Sequence, residues 1–95
     1  MPAYLIADVH PTDPQRAATH SELAEASVER HGGRYLARGG ALTVLEGNWE
    51  PERVTIIEFP STDAARAWFE SEHYGPARDA RQGAGSWQMV VVDGV

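Results

Sequence analysis

Asp8 and His10 stand two residues apart at the end of the apolar run Ala3 to Val9, where the alternation of a strand puts both on one face with Tyr4 and Ile6. A carboxylate within reach of an imidazole can orient it for proton transfer, so the two form a candidate acid–base pair. Glu58 lies in a second apolar stretch, Val54 to Phe59, and alternation sets it with Val54 and Ile56, opposite Ile57 and Phe59. A carboxylate on such a face must be paired or neutralised. Strand alternation puts Arg34 and Arg38 on one face, and Arg38 is the partner considered for Glu58. It either holds a substrate carboxylate or forms a structural ion pair. His10 and Glu58 are therefore the candidate catalytic residues, and Asp8 and Arg38 candidate binding residues.

Three further positions join the binding candidates. Trp49 sits in the polar stretch Gly47-Asn48-Trp49-Glu50-Pro51, where its ring must pack on something, either a second subunit or a cleft. Tyr74 and Arg81, with Arg78 near them, sit on or beside a short helix after Gly75-Pro76, either closing a pocket around an anion or forming a solvated face. Trp68 and Phe69 occupy helical core spacing. His20 and His31 fall near one helix face, but eleven residues at helical rise place them about 16 Å apart, so they do not share a metal within one chain. No metal and no cofactor is expected. Gly83-Ala84-Gly85-Ser86 precedes a strand and lacks a lysine, so it is a connector rather than a phosphate loop.

The elements that must position these groups follow from the apolar periods. Ala3 to Val9 reads as a strand closed by His10-Pro11. Thr12 or Asp13 caps a helix with Pro14 at its first position, and the stripe Ala17, Leu23, Ala24, Val28 runs to Gly32-Gly33. Arg34 to Arg38 and Leu42 to Glu46 read as a hairpin about Gly39-Gly40, and Val54 to Phe59 as a central strand. Ser61 caps a second helix whose buried stripe is Ala64, Ala65, Trp68 and Phe69. A short third helix follows, and Ser86 to Val92 is the last strand. The order is a ferredoxin-like βαββαβ, an α+β fold with one antiparallel sheet, expected as a single domain over residues 1–95. Helices cover one sheet face, while the strands offer apolar side chains to both, which predicts a homodimer closing two sheets into a dimeric α+β barrel.

The strings GGRYLARGG, EGNWEPERV, IEFPSTDAARAWFES and HYGPARDAR resemble the bacterial "domain of unknown function 1330" family of the dimeric α+β-barrel superfamily, over nearly the whole chain. The resemblance implies the fold, a homodimer and a cleft between sheet and helices. Where the family reads Ser-Pro-x-Tyr after the second helix, this chain has Ser71-Glu72-His73-Tyr74, which sets His73 apart. The superfamily includes cofactor-independent monooxygenases, lactone isomerases and haem enzymes.

Composition narrows the partners. The 95 residues carry a formal charge of -6 and no lysine, a field that repels phosphate backbones, so nucleic acid is not an expected partner. No cysteine is present, which excludes thiolate catalysis and thiolate metal sites. The N-terminus lacks a basic signal region and no apolar run reaches the ~20 residues of a membrane span, so a cytoplasmic location is expected and no membrane partner. The functional expectation is a cleft that binds or transforms a small organic, anionic molecule. The alternatives are a cofactor-independent monooxygenase or isomerase, or a non-catalytic ligand-binding or structural dimer.

Overall fold

In the computed structural model, which describes residues 1–95, Asp13 starts the first helix by accepting from the backbone N–H groups of Gln15 and Arg16, with Pro14 at the first helical position. The chain runs β1 (Ala3–Pro11), α1 (Pro14–Arg30), β2 (Arg34–Arg38), β3 (Arg53–Phe59), α2 (Thr62–Glu70), α3 (Gly75–Ala80) and β4 (Gly85–Asp93). Helix α1 stops at His31, after which the chain must pass close under its own helix. A Cβ on Gly33 would sit 2.6 Å from Val28 Cγ1 and 2.9 Å from Phe59 Cε1, so only glycine lets β2 begin there. Ser61 opens α2 by accepting from Ala64 N–H at 3.0 Å.

The four strands form one antiparallel sheet in the order β2-β3-β1-β4. This is the ferredoxin-like arrangement, with α1, α2 and α3 on one face. Leu5, Ala7, Val9, Ile57 and Phe59 point under the helices, where Phe59, Trp68, Tyr74 and Val28 form the fully buried centre of the core. Trp68 also buries its indole N–H by donating to Ser27 Oγ at 2.9 Å, and Ser27 in turn donates to Ala24 O. Burying a polar group without such a partner would cost about 1–3 kcal/mol. Phe69, expected in the core, is 37% exposed: it lies at the helix margin with the Arg78 guanidinium 4.7 Å over its ring. No helix is long and apolar enough to cross a membrane.

Two expectations about β2 fail, each for a local reason. Leu42 to Glu46 is not a strand, and Gly39-Gly40 is not a hairpin turn. Instead β2 pairs directly with β3, in the register Arg34 to Glu58, Tyr35 to Ile57 and Arg38 to Thr55. That pairing gains a cross-strand ion pair and half-buries Tyr35, whereas Leu42 to Glu46 would find no second neighbour in the chain. The other failure is the assignment of Arg34 and Arg38 to one face. A bulge at Leu36, between Tyr35 and Ala37, adds a residue and reverses alternation beyond it. Arg34 therefore lies on the open face and Arg38 on the helix face.

Candidate functional site

Because of that bulge, Arg38 reaches the space between the sheet and α1, where it stacks 4.5 Å over the Tyr35 ring, donates to Ser21 O at 3.1 Å and pairs with Glu25 at 3.3 Å. The proposed Arg38–Glu58 pair does not exist. Glu58 instead pairs with Arg34 on the opposite face, at 3.0 Å, as strand register dictates. The cleft that Arg38 helps line is floored by Leu5, Ala7, Val9, Thr55, Ile57 and Met89 and walled by Tyr35, Trp68, Tyr74 and Trp87. Its cavity volume is about 60 Å3, several times the ~10–15 Å3 needed for one water, and the space including the open solvent at its mouth is about 640 Å3. Two guanidinium groups, Arg38 and Arg53, line it, with no carboxylate among the lining side chains.

His20 is the polar centre of this cleft. It sits on the inner stripe of α1 with Ala24 and Val28, 9% exposed, and its Nε2 lies 3.1 Å from the Tyr74 hydroxyl. Arg81 Nη1 donates to the same hydroxyl oxygen at 3.4 Å, and the Trp87 ring meets the imidazole edge at 5.1 Å. A guanidinium has only protons to give, so the arrangement that satisfies every group runs from Arg81 to the Tyr74 oxygen and from the Tyr74 O–H to His20 Nε2. Burial, then the charges of Arg81 and Arg38, push the His20 pKa down to about 4, so the ring is neutral at pH 7. Burial raises the hydroxyl pKa of Tyr74 against the pull of Arg81 and Arg78, and that of Tyr35 against Arg38. The cleft thus combines a neutral base, a protonated phenol and a positive potential.

The sequence candidates divide between the two faces of the sheet. Arg38 and Tyr74 lie in the cleft, with Arg81 behind Tyr74 and Trp87. Asp8, His10, Trp49 and Glu58 do not reach it, since Asp8, His10 and Glu58 alternate to the open face. There His10 Nε2 is 3.1 Å from Asp8 Oδ2, and Asp8 also accepts from Trp49 Nε1 at 3.2 Å and from Glu52 N–H at 3.1 Å. Burial raises the Asp8 pKa, but the bonds from Glu52, His10 and Trp49 outweigh it and hold the carboxyl below its ordinary 3.8. The second His10 nitrogen faces Glu52 Oε1 at 3.5 Å. Asp8 therefore fastens the Gly39–Glu52 loop to β1. Trp49, 60% exposed, rests on it by its indole N–H.

Sequence reasoning weighed His20 only as a metal ligand and singled out neither Arg53 nor Glu52. The signal for His20 was present: Ala17, His20, Ala24 and Val28 recur at helical spacing, so a histidine stands within an apolar stripe. Arg53 and Glu52 had no such signal, because their placement depends on which strand pairs with β2. His31 and His73 approach within 3.2 Å on the surface beside Arg30, and no three His, Asp or Glu side chains converge to hold a metal ion.

The chain belongs to the family described as "Domain of unknown function (DUF1330)", whose model matches residues 2–95. No curated protein matches it. Among solved structures, it is similar to a protein of unknown function from Rhodopseudomonas palustris, with TM-score 0.81, 20% identity, and coverage of 99% of this chain and 82% of that one. A dimeric ferredoxin-like protein of unknown function from Jannaschia sp. CCS1 superposes with TM-score 0.77 at 10% identity, over 98% and 99% of the two chains. SnoaB, a cofactor-independent oxygenase from Streptomyces nogalater, gives TM-score 0.64 at 16% identity, over 99% and 91%. These likenesses establish the fold.

Proposed function

We propose that this member of the family takes a small organic molecule bearing an acidic or anionic oxygen into the cleft between α1, α3 and the sheet, with His20 as proton acceptor by way of the Tyr74 hydroxyl that donates to its Nε2. One observation carries the reading: a buried, neutral histidine is hydrogen-bonded to a buried tyrosine in an apolar cleft lined by two guanidinium groups and no carboxylate. Arg53 has no carboxylate within ion-pair distance, so its charge is free to attract an anion to the cleft. Flat apolar ligands suit the aromatic walls, and the guanidinium groups suit a carboxylate, phenolate or enolate. With its pKa pushed down to about 4, His20 is unprotonated at pH 7 and is a weak base that acts through the Tyr74 hydroxyl already hydrogen-bonded to it. The fold is shared with a cofactor-independent oxygenase, an analogy at the level of fold alone.

The test is a panel of small aromatic and aliphatic carboxylic acids and phenols, read by calorimetry and by mass spectrometry after long incubation. Saturable binding weakened by Arg53→Gln, together with turnover lost in His20→Gln, supports the proposal. Ligand recovered intact assigns the cleft to binding alone. Binding indifferent to His20→Trp, which fills the cleft, removes it.

The open face of the sheet is read as the contact between two copies. Tyr4, Ile6, Ile56, Val90 and Val92 lie on it, and Val90 is 63% and Val92 50% exposed. The chain's accessible surface is 6135 Å2, against about 5400 Å2 for a compact monomer of 10.4 kDa. The excess of about 700 Å2 is close to the ~800 Å2 per partner that a standard interface removes. Sedimentation at tens of micromolar tests this, and a monomer there excludes it.

A further inference from the structure

Ala41-Leu42-Thr43-Val44-Leu45-Glu46 has the composition of a strand and no strand to lie beside. From Gly40 to Glu52 the backbone makes no hydrogen bond to any other backbone group. The side chains gain nothing in return, with Leu45 92% and Val44 54% exposed. Yet the segment is no loose tail, because both ends are fixed. Gly39 N–H donates to Val54 O on one side, and Trp49 and Glu52 are held by Asp8 on the other. A tethered apolar segment whose backbone pairs with no other strand is suited to adding as a strand elsewhere.

The far side of the sheet has the complementary need. Strand β4 is an edge of nine residues, paired only with β1. From Ser86 to Val92 it carries no charge, no proline and no bulge, three of the devices by which edges resist recruiting another strand. The other edge, β2, is defended by its five-residue length, its bulge and its arginines. In this chain the segment and the open edge do not meet, since β2 and β4 are the outermost strands on opposite sides.

We infer that Ala41–Glu46 of each copy adds as a strand to the outer edge of β4 in a second copy. Two-fold symmetry then makes the exchange twice per dimer, each segment covering the edge its partner leaves bare. Backbone ladders supply affinity in this mode of docking, while alternate side chains set register. The inference rests on the dimer reading above and specifies what joins the two copies at their edges.

Hydrogen exchange of the full chain, measured across concentrations that span assembly, tests it with the variant Val44→Pro. Proline removes a ladder donor, and Val44 makes no backbone hydrogen bond within its own chain, so the fold is undisturbed; circular dichroism at low concentration checks this. The expected result is that amides of residues 42–46 and alternate amides of β4 gain protection together as the dimer forms. Val44→Pro should weaken the dimer by at least about tenfold, the equivalent of one or two lost ladder bonds, while Val44→Thr leaves it unchanged. A dimer of unaltered affinity in Val44→Pro overturns the inference and leaves the face-to-face dimer standing. So does a dimer whose residues 42–46 exchange at the monomer rate. A chain that stays monomeric overturns both.

Discussion

Acidification should unfold this protein through His20, and the effect can be calculated. The ring titrates at 6.5 when exposed and at about 4 in the fold, so between those values the unfolded chain holds a proton that the native chain refuses. Stability is therefore fully present above about pH 6.5 and is lost as pH falls toward 4. Integrating the linkage relation gives a loss of about 2.5 kcal/mol between pH 7.5 and 4.5, a large share of the 5–15 kcal/mol typical of a domain. His20→Gln keeps an acceptor for the Tyr74 hydroxyl and removes the titration. Urea unfolding of the two proteins across that range, at one fixed protein concentration, isolates the contribution of His20 because every other group is shared. The wild type should lose about 2.5 kcal/mol more than the variant over the interval. The Asp8 carboxyl does not intrude: its pKa is held below 3.8, so the stability it adds is present above that value and disappears only as pH falls further. Parallel curves for the two proteins, or an NMR titration of His20 near 6.5, would refute the argument that burial and the two arginines keep this ring neutral.

Two further substitutions probe how the cleft and the loop are held. Ser27→Ala leaves the buried Trp68 indole N–H without an acceptor and should cost about 1–3 kcal/mol in chemical denaturation, with no change in the distribution between monomer and dimer. Asp8→Ala removes the acceptor shared by Trp49, Glu52 and His10. Faster limited proteolysis between Gly40 and Glu52 should follow, at an overall stability cost of about 2 kcal/mol. Wild-type proteolysis kinetics in that variant would show that Asp8 does not fasten the loop.

What the chain discloses in advance depends on whether the deciding interaction is local. The caps at Asp13 and Ser61, the break at Gly32-Gly33 and the alternation of β1 are set by neighbours in sequence, and each element begins or ends where those residues require. The pairing of Asp8 with His10 is equally local, two residues along one strand face. The choice of partner for β2 is not local. Leu42 to Glu46 and Val54 to Phe59 are both acceptable strands by composition, and only the second is also flanked by β1, a fact that lies fifty residues away in sequence.

One inserted residue at Leu36 then decides the chemistry of both faces. Without the bulge, Arg38 would join Arg34 on the open side, two guanidinium groups would compete for Glu58, and the cleft would keep only Arg53. With it, Arg38 turns inward, stacks on Tyr35 and lends its charge to the group that keeps His20 neutral. The open side retains the paired Arg34 and Glu58 and the Asp8 fastening, with Ile6, Ile56, Val90 and Val92 between them. A face of that kind suits contact with a second copy better than catalysis, since its charges are already satisfied by one another. On the proposals made above, the same sheet would carry proton chemistry under the helices and assembly on the other side, and each would be disabled by a substitution that does not touch the other.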